Sequence, residues 1–254
     1  MIGAIPIALA LAFAVTALLY ASVGFGGGST YAALLALSGL DYRLLPLVAL
    51  ACNIVVVAGS SVRFARARVT PWQGALAITA LAAPAAFLGG LVPIERETFL
   101  LLLGASLVLT ALTMLIPVSP EVEATPTRWA KAIPFAAAPI GFLAGLVGIG
   151  GGIFLAPLLH LARWNGARAI AATASFFILV NSLFGLAGQL AKAGPAMFAG
   201  AMAEALPLLL AVVVGGQIGS LLAARFLPLK WIRWLTAALV FVVGARLLLG
   251  AING

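Results

Sequence analysis

Charge is scarce in this sequence. Only 8% of its 254 residues are Asp, Glu, Lys or Arg, and just six of them are acidic; a soluble domain carries roughly 25% charge. There is one cysteine, Cys52, and one histidine, His160. A single cysteine excludes an internal disulfide and any cysteine-cluster metal site, and one histidine cannot anchor a His-rich one. No Gly-Lys-Ser/Thr follows a glycine-rich run, so no phosphate-binding loop is offered and direct drive by ATP is not expected. An intramembrane enzyme would need a nucleophile–base pair or paired acids, and this composition supplies neither. No cofactor, metal or catalytic residue is expected.

What the chain has instead is hydrocarbon. Hydrophobic residues make up 64% and the mean hydropathy is +1.23. Apolar runs of membrane-spanning length occupy 2–23, 44–62, 72–92, 98–117, 169–190, 199–224 and 231–249. The sequence therefore predicts an all-α polytopic membrane protein whose first partner is the lipid bilayer. No positively charged n-region or small-residue cleavage site marks a signal peptide at the start. The isoelectric point of about 10.9 is explained by basic cytoplasmic loops rather than by nucleic acid.

Two stretches break the apolar pattern in the same way. Gly24-Phe25-Gly26-Gly27-Gly28 returns as Gly148-Ile149-Gly150-Gly151-Gly152, 124 residues later. Each half then runs long helix, short loop, long helix, short loop, long helix. This divides the chain into a first repeat, 1–117, a cytoplasmic linker, 118–132, and a second repeat, 133–254. Loop charges set the orientation. Arg63, Arg66 and Arg68 follow one helix of the first half, whereas the equivalent loop of the second holds only Lys192. The next loops reverse the order, with Glu95, Arg96 and Glu97 in the first half against Arg225, Lys230 and Arg233 in the second. Equivalent loops thus lie on opposite faces, and the repeats are expected to be inverted, with both termini outside a bacterial-type inner membrane. On this topology ten basic residues fall inside and four outside.

The segments after the glycines are too short to span. Residues 29–40 and 153–161 number 12 and nine, about 18 and 13 Å of helix, against a hydrocarbon core of about 30 Å. Each motif therefore reads as the tip of a re-entrant hairpin or the break in a discontinuous helix. About eight long helices are expected, six crossing fully and two forming the long arms of the hairpins. Broken helices are tolerated in lipid where they line a site. The helix that starts after each tip turns its free N–H groups and positive dipole end towards the midplane. Gly24, Gly26, Gly27, Gly28, Gly148, Gly150, Gly151 and Gly152 are thus candidate ligands of a small anion. Ser29 and Thr30 are expected to cap the first short helix and add hydroxyl donors.

Other polar residues fall at membrane depth. Asn53 lies about ten residues into its helix, and Asn181, with Ser182, lies similarly in the 169–190 run, Thr173 and Ser175 being a turn or two earlier. Each can donate to an anion without the desolvation cost of a cation, or can join helices. Gln217 and Cys52 read as packing residues, Glu204, Arg246 and His160 as interfacial ones, and the Gly141–Gly145 and Gly215–Gly219 pairs as close helix contacts.

At the two glycine blocks the sequence resembles the sulfite exporter TauE/SafE family of membrane permeases. The second block, continuing through Ile153-Phe154-Leu155-Ala156-Pro157-Leu158-Leu159, is the more specific; in the first, Ala33 stands where Pro157 stands in the second. The resemblance covers nearly the whole chain and implies a secondary transporter of sulfur-containing anions such as sulfite, sulfonates or sulfoacetate. An anion-selective channel is the alternative, and assembly into a homo-oligomer is compatible with either.

Overall fold

A computed structural model of the chain describes residues 7–23, 25–115, 126–222 and 229–252. Ten α-helices and one 3-10 turn follow one another: α1 (Ile7–Val23), α2 (Gly28–Leu37), α3 (Leu45–Arg66), α4 (Trp72–Leu91), α5 (Arg96–Leu115), the turn Arg128–Ala132, α6 (Ile133–Val147), α7 (Gly152–Leu161), α8 (Ala167–Ala193), α9 (Pro195–Leu222) and α10 (Leu229–Ile252). The described residues contain no strand. Among the described residues six helical stretches are long and apolar enough to cross a membrane: α3, α4, α5, α6 with its preceding turn, α8 and α9. Of the expected linker, residues 118–125 lie outside the described residues, and its last part is the 3-10 turn.

Local chemistry accounts for many of the boundaries. Pro46 and Pro134 sit in the first turns of α3 and α6, where a missing N–H is harmless. Arg63 and Arg66 occupy the last turn of α3, matching the negative end of its dipole. Helices α2 and α7 have ten residues each, about 15 Å, or half a bilayer core.

Small residues set the packing. A Cβ on Gly141 or Gly145 would fall on the backbone of Ala82 or Ala86, and one on Gly215 or Gly219 on that of Ala14 or Leu18. These close approaches join α6 to α4 and α9 to α1, two of the broadest helix contacts, alongside α5 with α10 and α4 with α8. Helices α3 and α8 cross at the centre and are the most enclosed of the long helices. The pairing has an internal order. Replacing each helix by the one five places along turns the α4–α6 contact into α9–α1 and α2–α3 into α7–α8, and leaves α5–α10 and α3–α8 unchanged. The outer surface is hydrocarbon, with Leu81 and Leu88 on α4, Leu109 and Leu112 on α5, and Leu206, Leu210 and Val214 on α9 all exposed. Such a belt is solvated by lipid.

Candidate functional site

Both glycine blocks break the helical run. Helix α1 ends at Val23, Phe25 N–H returns to the Tyr20 carbonyl at 3.0 Å, and Gly27 turns the chain with φ 79° before α2 begins. Gly24 lies outside the described residues. Helix α6 ends in Gly148 at φ 83°, whose N–H bonds the Ala144 carbonyl at 2.9 Å, a left-handed C-terminal cap. Gly150 and Gly151 follow at φ 80° and 78°, and α7 starts at Gly152. An L side chain in that region costs about 1–2 kcal/mol, so at Gly27 and Gly151 the reversal itself calls for glycine.

Neither short helix has a side-chain cap. Ser29 and Thr30, expected to cap α2, do something else, because Gly27 takes the cap position. Thr30 Oγ1 pairs with the Tyr20 hydroxyl at 3.1 Å, and Ser29 Oγ is buried without a partner. Among the described residues, the first α2 N–H that returns to a carbonyl is that of Tyr31, to Gly27, and in α7 it is that of Phe154, to Gly151. The earlier N–H groups are the orphan donors of a helix start.

One side chain connects the two tips. Asn53, fully buried on α3, donates from Nδ2 to the Ile149 carbonyl at 3.3 Å. A Cβ on Gly26 would come to 2.5 Å from Asn53 Oδ1, and one on Gly150 to 2.7 Å from Asn53 Nδ2 and 3.1 Å from Ser182 Oγ. A Cβ on Gly28 would strike Asn53 Nδ2 and stand 2.5 Å from the Ile149 carbonyl oxygen. The start of α2 therefore touches the second tip directly, and the amide is wedged between them. Two positive helix ends facing each other repel. Meanwhile Ser29 Oγ, Asn53 Oδ1, Ser182 Oγ, both amide atoms of Asn181 and Thr173 Oγ1 are buried with no hydrogen-bond partner. Unmet buried polar atoms cost about 1–3 kcal/mol each, and those of Ser29, Asn53 and Ser182, set beside the two helix starts, suit a polar ligand.

The chain matches one family over nearly its whole length. The sulfite exporter TauE/SafE profile covers residues 8–247. The chain belongs to that family. Among curated proteins, a Sinorhizobium fredii protein described as "Probable membrane transporter protein y4hK" is 36% identical over 252 residues, covering 95% of this chain and 98% of the relative. No solved structure matches. This TauE/SafE protein is accordingly a multi-pass membrane transporter.

The remaining candidates divide. In this TauE/SafE chain Ser182, adjacent in sequence to Asn181, is the polar α8 residue beside a tip glycine, Gly150. Asn181 and Thr173 are fully buried on the same helix. Ser175 is engaged elsewhere, its hydroxyl 3.1 Å from that of Ser61 on α3. Cys52 is a free, buried thiol among apolar neighbours, and Glu204 is exposed on α9.

Two contributors escape a reading of the sequence. Gln189 on α8 donates from Nε2 to the Gly145 and Leu146 carbonyls at 2.8 and 3.2 Å, holding the end of α6 where it enters the second tip. Its signal is present as the i+8 partner of Asn181, on the same helical face. Tyr20 and Thr16 line the back of Gly27, where a Cβ would come to 3.1 and 3.2 Å from them; nothing in the local pattern announces that.

Proposed function

We propose that the protein is a secondary transporter of a small sulfur-containing anion, such as sulfite, a sulfonate or sulfoacetate, held between the two glycine tips. The observation that carries this reading is the meeting of two uncapped helix starts at the Asn53 amide. Together they offer backbone donors, a positive dipole end from each side and unpartnered side-chain donors. The words "sulfite exporter" in the family's description supply the sulfur. Alternating loop charges and the five-place exchange in helix packing support two inverted repeats, with tips entering from opposite faces of an inner membrane. Direct contact between Gly28 and Ile149 closes the path between the tips, which favours a carrier over an open channel.

The test is substrate counterflow in proteoliposomes together with four alanine substitutions. Gly27→Ala and Gly151→Ala force an L residue into a left-handed conformation at the tips and should abolish uptake while the protein remains folded in detergent. Gly145→Ala and Gly215→Ala collide with neighbouring backbones and should lower the melting temperature before they alter affinity. Normal binding by both tip variants sinks this reading, and single-channel currents in place of saturable counterflow would make the protein a pore.

A further inference from the structure

We propose that the site selects its anion by charge, accepting singly charged sulfur oxyanions and rejecting doubly charged ones. This narrows the range above to monoanions and leaves out sulfoacetate, a dianion at neutral pH. The proposal rests on the reading that the tips hold the anion. Its starting point is the character of the buried polar residues. Among the described residues all fifteen of them are neutral: serines, threonines, Asn53, Asn181 and Gln189. The charged side chains of the helices that form the site, and His160, stand at their ends. Arg63 and Arg66 lie in the last turn of α3, His160 in the last turn of α7, and Lys192 in the last turn of α8, while Arg168 is exposed in the first turn of α8. Nearer the tips the titratable groups are Tyr20, Tyr31 and Cys52, phenols and a thiol that carry no charge around neutral pH.

The positive potential at the tips therefore comes from the backbone. A helix start is equivalent to roughly +0.5 of an elementary charge, so the two that meet here supply at most about +1, reduced by the negative ends of α1 and α6 at the same tips. That suffices for no more than one negative charge. A dianion carries twice the charge, and its desolvation cost is roughly four times larger because that cost grows as the square of charge. Neutral donors such as Ser29, Asn53 and Ser182 improve the fit of either ion but add no net charge, so the second negative charge has nothing to meet.

Three ions of similar tetrahedral or pyramidal form separate the possibilities in proteoliposomes. Methanesulfonate is a monoanion at every accessible pH, sulfate a dianion, and sulfite passes from one to the other near neutrality. The expected result is methanesulfonate flux that is flat with pH and sulfate flux at the protein-free background. Sulfite flux should fall roughly tenfold per pH unit above its second ionisation, following the monoanion fraction. Sulfate or sulfite dianion moving as fast as methanesulfonate overturns charge selection; if Gly27→Ala abolishes that flux, the tip site survives the result. Methanesulfonate flux that falls in step with sulfite places the titrating group in the protein and also overturns the proposal. Charge-selective flux that persists in Gly27→Ala and Gly151→Ala removes the tip reading and this proposal with it. Absence of flux for all three ions overturns the transport reading itself.

Discussion

Replacing Asn53 with leucine should leave the stability of the ligand-free protein nearly unchanged and yet weaken anion binding. Leucine has the same branching, so it fills the same space between Gly26, Gly28 and Gly150. What disappears is one long hydrogen bond, Nδ2 to the Ile149 carbonyl at 3.3 Å, worth about 0.6 kcal/mol by the average for such bonds in membrane proteins. What disappears with it is the buried Oδ1, which has no partner and costs about 1–3 kcal/mol. The buried Ile149 carbonyl, left without this donor, sets a similar cost of about 1–3 kcal/mol on the other side. The terms roughly cancel, and the melting temperature should move by no more than several degrees either way. The fold already accepts an apolar residue at the matching place in the second half. A Cβ on Gly152 would strike Ile178 just as one on Gly28 would strike Asn53. For the anion the loss is different in kind, because a hydrogen bond to a charged partner is worth about 1.5–3 kcal/mol, a Kd weaker by roughly 10- to 150-fold. Calorimetric titration with methanesulfonate and thermal unfolding, both on purified protein in detergent, measure the two quantities side by side. An Asn53→Leu protein that melts many degrees lower and binds the anion normally would refute the reasoning and make the amide a structural pin.

Two further outcomes can be checked separately. Reporter fusions should place residues beside Arg66 and Lys230 on the cytoplasmic face and residues beside Glu95 and Lys192 on the opposite one; Arg66 and Lys230 on different faces would remove the inverted-repeat reading. Gln189→Leu should free the Gly145 and Leu146 carbonyls at the end of α6, lowering stability by about 1–3 kcal/mol and reducing transport by loosening the second tip. Unchanged melting and transport would show that these carbonyls find other donors.

The long helices were legible because their signal is collective. Seven apolar runs of the required length fall on α1, α3, α4, α5, α8, α9 and α10, and no single residue decides any of them. The tips were legible for the opposite reason: glycine is so costly in a helix interior that repeated blocks of it point to broken helices. Packing glycines were readable from their spacing of four, and Gly141, Gly145, Gly215 and Gly219 all lie against a neighbouring backbone. Side-chain partners were not legible, because they depend on helix rotation. Asn181 and Ser182 differ by about 100° around α8, and it is Ser182 that stands beside Gly150. Capping by Ser29 and Thr30 followed general preference. It gave way to the left-handed Gly27 because the tight reversal needs that position, and Tyr20 on α1 offers the Thr30 hydroxyl another partner.

The two halves share a backbone and not a chemistry. Gly27 faces Thr16 and Tyr20, and Gly151 faces Ile140 and Ala144, in each case a partner 124 residues further on. The geometry repeats while hydroxyls give way to hydrocarbon. Ser29 and Thr30 at the start of α2 correspond likewise to Ile153 and Phe154 at the start of α7, and by its place against the tip, one residue off that spacing, Ile178 takes the position of Asn53. Against this, Ser182 on α8 stands near Gly150 where Val57 on α3 stands near Gly26. An anion between the tips would thus receive similar dipoles from both sides but most of its side-chain donors from the first half. In a carrier whose halves exchange roles, identical repeats would make the two end states equivalent. Tips as unlike as these would make them inequivalent, the polar tip facing one way in one state and the other way in the other. The population of the two states, and the affinity measured from each side, would then differ by whatever those hydroxyls and the Asn53 amide contribute.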